Sequence, residues 1–174
     1  MNQPTLYTKR LKLRPMKPED IEYEQAFYQT DRSQYVGGQM HPADVWRVIA
    51  ARIGHWALRG YGSFAIEERE TSAYCGHVGP WHPVEWPEPE IAWSVMGNAE
   101  GRGIAFEAAI EVRAWAYEKL GWNTTISMID PTNHRSIALA KRLGATFERD
   151  FDHHKFGKLQ VWRHPSSEAL AYAS

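Results

Sequence analysis

The segment Glu100-Gly101-Arg102-Gly103-Ile104-Ala105 joins two glycines to the start of a helical pattern, and that combination has a definite chemical use. Glycine lets the backbone approach a ligand closely, and the first N–H groups of a helix have no intrahelical partners, so phosphate oxygens are stabilised there. A pyrophosphate fits such a junction, and so does a plain tight turn. The dinucleotide fingerprint Gly-x-Gly-x-x-Gly does not fit, because its sixth position is Phe106 and the segment lies past mid-chain. Cys75 is the single cysteine; it forms no intrachain disulfide and reads as a small hydrophobe in a strand. Among eight histidines, His153-His154 invites a metal. Adjacent residues on a strand point to opposite faces, so this pair is not expected to hold one ion, and no metal is expected. His77 and His82 flank an aromatic stretch with Trp81, Trp86 and Trp93, which reads either as a pocket wall or as a cap on the sheet.

The surrounding pattern predicts the elements that must position these groups. Leu11 and Leu13 alternate with Arg10, Lys12 and Arg14, the period of a half-buried strand, which Pro15 ends. Pro18 opens a helix with Glu19 and Asp20 in its first turn. A second helix begins near Pro42, carries Val45, Trp46, Ile49, Ile53 and Trp56 at helical spacing, and ends at Gly60. Strands follow at Phe64 to Ile66, Tyr74 to Val78 and Ile91 to Met96, as an antiparallel meander broken by Gly79-Pro80 and by the proline-rich run from Pro83 to Pro89. A long helix runs from about Gly103 to Leu120, with Phe106, Ala109, Ile110, Tyr117 and Leu120 on one side and Glu107, Glu111 and Glu118 on the other. Then come a strand at Thr124 to Ile129, a helix at Asn133 to Leu143 closed by Gly144, and strands around Phe147 to Phe151 and Leu159 to Trp162, with Gly157 turning between them. This order implies one α/β (α+β) domain over residues 1–174.

Composition narrows the function. At 43% apolar and 24% charged residues the chain is globular, and a net charge of -1 argues against a nucleic-acid partner. No apolar run reaches the roughly 18 residues of a membrane span, and Met1 to Leu13 lacks a signal-peptide core, so no membrane partner and a cytoplasmic location are expected. A homodimer is compatible with the sequence.

Four segments together resemble the GCN5-related N-acetyltransferase (GNAT) superfamily, in the branch of ribosomal-protein N-terminal alanine and serine acetyltransferases. They are Leu6 to Pro15, Glu90 to Met96, Glu100 to Ala105, and Asn133-His134-Arg135-Ser136-Ile137 with Leu143-Gly144. The resemblance implies a mixed, mostly antiparallel sheet of about seven strands, splayed near the middle, with about four helices on its faces. It implies acetyl-CoA as cosubstrate and direct acetyl transfer to a primary amine, a protein N-terminus or a small molecule. A non-catalytic acyl-CoA-binding module of the same fold is the alternative. It also assigns residues. Trp93, Ser94 and Val95 would offer backbone groups to the pantetheine arm and thioester, and Gly101, Arg102, Gly103, Ile104 and Ala105 would hold the pyrophosphate. Asn133 and Ser136, three apart on one helical face, would sit near the coenzyme arm and its sulfur, although Asn133 also fits a helix cap. The family usually has Gln or Arg where this chain has Glu100, so Glu100 is expected to face solvent and Arg102 to supply positive field. Glu90 is the candidate base, unless it is a surface acid, and Ser136 the candidate acid.

Overall fold

In a computed structural model that describes residues 3–172, alternation and punctuation in the sequence translate into thirteen regular elements plus two short 3-10 turns, Asp31–Tyr35 and Gly97–Ala99. The strands are β1 (Leu6–Tyr7), β2 (Leu11–Arg14), β3 (Phe64–Glu68), β4 (Tyr74–Trp81), β5 (Glu90–Val95), β6 (Ile126–Ile129), β7 (Thr146–His153) and β8 (Gly157–Arg163). The helices are α1 (Asp20–Tyr28), α2 (Pro42–Arg59), α3 (Ile104–Lys119), α4 (His134–Arg142) and α5 (Ser167–Tyr172). One eight-stranded sheet runs in the order β1-β2-β3-β4-β5-β6-β8-β7, and every pairing is antiparallel except β5 with β6. The opening segment is a small hairpin rather than one strand, because Thr8 turns the chain: its N–H donates to Leu11 O and its hydroxyl accepts from Leu11 N. Among the described residues, no helix is long and apolar enough to cross a membrane.

Two helix faces differ from their expected orientation. On α2 the buried residues are Val45, Ile49, His55 and Trp56, whereas Trp46 is 57% and Ile53 40% exposed. His55 takes an interior place because its polar atoms are satisfied, Nδ1 by Tyr61 O at 2.7 Å and Nε2 by the N–H of His82 at 3.0 Å. On α3 the buried face is Ile104, Ala108, Ala109, Val112 and Ala116, and Ile110 is 40% exposed. Small alanines bring α3 close to β4 and β5, which a count of large apolar residues does not anticipate.

The sheet is tied to α1 by a buried ion cluster. Arg14 forks onto Asp20 with two bonds of 2.8 Å, and its Nε donates to Glu67 at 2.5 Å. Asp20→Ala removes the two-bond partner and leaves both Nη groups of the buried guanidinium without a carboxylate, with Glu67 alone offsetting the charge through Nε, so unfolding free energy is expected to fall by about 3 kcal/mol, read by urea denaturation at pH 7.

Candidate active site

β5 and β6 run parallel but share a single register pair, Glu90 with Ile126, and then diverge. Side chains hold the base of the fork. Ser127 Oγ donates to Ile91 O at 2.7 Å, and Met128 N donates to Glu90 Oε2 at 2.8 Å, so a hydroxyl and a carboxylate stand where ladder bonds would be. On the other edge of β5, Met96 N donates to Cys75 O, and residues of an antiparallel pair alternate in the direction of their polar groups. The main-chain groups of Ser94 therefore belong to β4, and those of Trp93 and Val95 face the fork. The anticipated trio divides: Trp93 and Val95 offer free backbone, while Ser94 is buried on the face it shares with its cross-strand partner His77.

A cavity of about 620 Å³ passes through the fork, lined by Glu90 and Trp93 of β5, Met128 and Ile129 of β6, and Asn133 and Ser136 beside α4. Its far wall comes from α1, α2 and the β7–β8 hairpin. Glu90 is 4% exposed, so it is no surface acid. Burial pushes its carboxyl up to about 7, opposed by the N–H of Met128 and by Trp86 Nε1, which donates at 2.6 Å. Opposite, Trp93 Nε1 donates to Ser136 Oγ at 3.2 Å, which fixes the oxygen and leaves the hydroxyl proton to point elsewhere. Asn133 acts as the N-cap of α4, its side chain accepting from Ser136 N at 3.2 Å. Its amide N–H groups stay available to the cavity. The structure thus brings Glu90, Trp93, Asn133 and Ser136 to one cavity.

The loop ahead of α3 lies outside that lining; Gly103 instead borders a second depression with Arg10, Phe106 and Arg142. Gly101 and Gly103 both have positive φ, 70° and 75°, a conformation other residues rarely adopt. Gly103 is the N-cap of α3 and carries no side-chain cap, so the first N–H groups of a sixteen-residue helix lack a local acceptor. That cradle suits a pyrophosphate. The charged neighbours depart from expectation. Glu100 does not simply face water; it is ion-paired with Arg32 and, at 2.7 Å, with Arg135, which offset its charge. The Arg102 guanidinium pairs with Glu68 rather than standing free beside the loop.

The histidine pair also corrects the sequence reading. His153 ends β7 and His154 begins the turn, so strand alternation stops between them and the rings stack at 4.7 Å. With Glu85 they place potential ligand atoms within 4.8 Å of one another. His153 Nδ1 accepts from Lys155 N at 3.1 Å and Phe156 N at 3.3 Å, which puts the ring proton on Nε2. A metal at that nitrogen would require the opposite tautomer and the loss of both bonds.

Trp81, Trp86 and Trp93 all line the cavity, as does His77. Glu24 of α1, fully buried, accepts from Tyr74 Oη at 2.5 Å and His77 Nδ1 at 2.9 Å. Burial keeps the His77 ring neutral, and the two donors outweigh the burial of Glu24 to keep it ionised. Sequence reasoning passed over Glu24, Arg52 and the Trp86 donor. Arg52 had a signal: it falls on the buried α2 stripe with Val45, Ile49 and Trp56, where a charge needs a reason.

The family profile of the acetyltransferase (GNAT) domain matches residues 10–146. An acetyltransferase from Agrobacterium tumefaciens is 35% identical, with a TM-score of 0.86 over 94% of this chain and 95% of that one. Two solved structures share the fold at 13% identity and a TM-score of 0.73. One is ribosomal-protein-S5-alanine acetyltransferase from Vibrio fischeri, with 96% of this chain and 99% of that one covered. The other is spermidine N-acetyltransferase from Vibrio cholerae, in complex with CoA and spermine, with 94% and 99% covered.

Proposed function

The chain belongs to the acetyltransferase (GNAT) domain family, whose members transfer acetyl groups to amines, and from that premise we propose how its own residues serve the reaction. The observation that carries the proposal is a buried carboxylate, Glu90, poised near neutrality at the base of a forked sheet and opposite an oriented hydroxyl. Acetyl-CoA supplies the thioester. The uncapped start of α3 with Gly101 and Gly103 receives its pyrophosphate, and the fork-facing backbone of Trp93 and Val95 receives the pantetheine amides and thioester carbonyl. A primary amine, of a protein N-terminus or a small molecule, enters from the α1–α2 side.

An ammonium cannot attack a carbonyl, so Glu90 in its ionised form takes the proton, directly or through one water. The freed nitrogen bonds to the acetyl carbonyl carbon as the carbon–sulfur bond breaks, and it then releases its second proton to water to leave the neutral amide. Ser136 donates a proton to the departing sulfur and regains one from solvent. Met128 N–H and Trp86 Nε1 favour the ionised carboxylate, while burial opposes it, and that balance places the base near working pH.

The test is calorimetric titration of acetyl-CoA into the wild type and Gly103→Trp, followed by thiol release across an amine panel. The variant is expected to weaken acetyl-CoA binding at least tenfold, and to lose about 1–2 kcal/mol of stability from a side chain forced into positive φ. Unchanged binding in a folded variant would move the coenzyme away from the loop. Binding with no thiol released from any amine would leave the coenzyme site standing and remove the base and acid assignments.

A further inference from the structure

Arg52 is the unusual charge of the cavity. It sits on α2 and lines the same cavity as Glu90. Among the described residues, no carboxylate lies within ion-pairing distance of it. Its side chain meets only neutral hydroxyls, Ser63 Oγ at a long 3.5 Å from Nη1 and the Tyr28 hydroxyl, and its Nε is buried with no hydrogen-bond partner. A guanidinium presents its donors as a planar fork that matches a carboxylate in two bonds, so buried, unfilled donors on an Arg point to an anionic partner.

The fork is also held ready. The Arg52 guanidinium lies over the Trp81 ring, 5.3 Å from its centroid, and Trp81 stacks on His55 at 4.6 Å. His55 in turn is fixed at both nitrogens, by Tyr61 O and the His82 N–H. Neighbouring acids do not satisfy Arg52. Glu24 accepts from Tyr74 and His77 at Oε1 alone and keeps a buried, unpartnered Oε2, and Glu90 is held at both oxygens by Trp86 and Met128; both feel the Arg52 charge through space, and neither lies within ion-pairing distance of it. Glu85 pairs with His154 at the exposed rim. The cavity therefore offers a proton acceptor, Glu90, and a preoriented anion receptor, Arg52, with aromatic wall between them.

We propose that the acceptor is a small amine that carries a carboxylate, an amino acid in chemical class, bound with its carboxylate on the Arg52 guanidinium and its amine towards Glu90. This rests on the acetyl-transfer reading above and narrows its acceptor. A polypeptide N-terminus has its carboxyl consumed in the peptide bond and would leave Arg52 unfilled, as would a polyamine.

The experiment compares each of the twenty amino acids with its own amide, and with the decarboxylated amine where one is stable, using the full chain, acetyl-CoA and thiol detection. At least one acid is expected to exceed its amide and its decarboxylated amine by thirtyfold or more in kcat/KM. Arg52→Met is expected to raise the KM for that acid at least thirtyfold and to leave the acetyl-CoA KM within twofold; Arg52→Lys keeps the charge, loses the fork and falls between. Amides, dipeptides or simple amines turned over as well as the acids would overturn the inference, as would discrimination that survives Arg52→Met. Matched acid and amide need no variant, so misfolding of a variant does not shelter the idea. If no amine releases thiol, the transfer reading fails separately, and titration of N-acetyl amino acids against their amides into CoA-saturated protein decides the rest. Binding of acid over amide that is lost in Arg52→Met upholds the anion receptor, and equal or absent binding overturns it.

Discussion

Glu90→Gln is expected to lower kcat by about 10²–10⁴-fold, the usual worth of a positioned base, and to erase the acid limb of the pH profile. The sign follows from the protonation state required. In the proposed role Glu90 acts ionised, and burial pushes its carboxyl up to about 7, so wild-type kcat/KM should fall about tenfold per pH unit below that value and level off above it. In the variant the slope on that side should vanish while residual activity persists. Gln does not fit without cost. Both carboxylate oxygens accept from donors, so an amide NH₂ must face either Trp86 Nε1 or Met128 N, and a loss of about 1–2 kcal/mol in stability is expected. A thermal midpoint separates that loss from the catalytic one. An unchanged acid limb in Glu90→Gln would hand the base role to another group.

His164 should produce the other large effect, on stability against acid. It is 2% exposed and lies in a buried chain: Arg113 Nη1 donates to Leu143 O at 2.6 Å and approaches His164 Nδ1 at 3.1 Å, and His164 Nε2 meets Ser127 Oγ at 3.0 Å. Ser127 closes the chain on Ile91 O, at the base of the fork. Burial, with the Arg113 and Arg163 charges, pushes the His164 ring down to about 3. Its folded value lies below the unfolded 6.5, so the unfolded chain takes up the proton first; the contribution is complete above pH 6.5 and is lost as pH falls towards 3. Between pH 7 and pH 4 this one group should cost about 3 kcal/mol of unfolding free energy. Neutral Gln can accept from Arg113 and donate to Ser127, so urea denaturation of His164→Gln should show a shallower decline over that interval. An identical decline in both proteins would show that His164 titrates normally.

Backbone punctuation made much of the fold legible. Pro42 and Gly60 bound α2 closely, and the positive φ of Gly60, Gly121 and Gly144 falls where the sequence ends helices. What escaped was contact between distant segments. Nothing near Glu100 says that Arg32 and Arg135 will flank it, and nothing near Arg102 announces Glu68. The faces of α2 and α3 were misjudged because burial there follows hydrogen-bond satisfaction of His55 and close approach at alanine, rather than side-chain size. His153-His154 was misjudged because the strand ends between the two residues. The site was legible in part: Glu90 and Ser136 do share a cavity, whereas Arg52, a lone charge on an apolar stripe, was visible in the spacing and was passed over.

A sheet ordinarily has two edges, and charge, shortness or bulges keep them from recruiting other chains. Here β1 spans only two residues, and β7 carries a register shift between Phe147 and Arg149. The divergence of β5 from β6 adds two inward edges at the centre of the molecule, with unpaired main-chain groups at Trp93 and Val95. Such a margin can be completed by any extended segment able to lie along it. In the proposed site a coenzyme arm lying there would take the place of a missing strand, so the feature that admits the substrate would also make its occupant a guard against adhesion between copies of the chain.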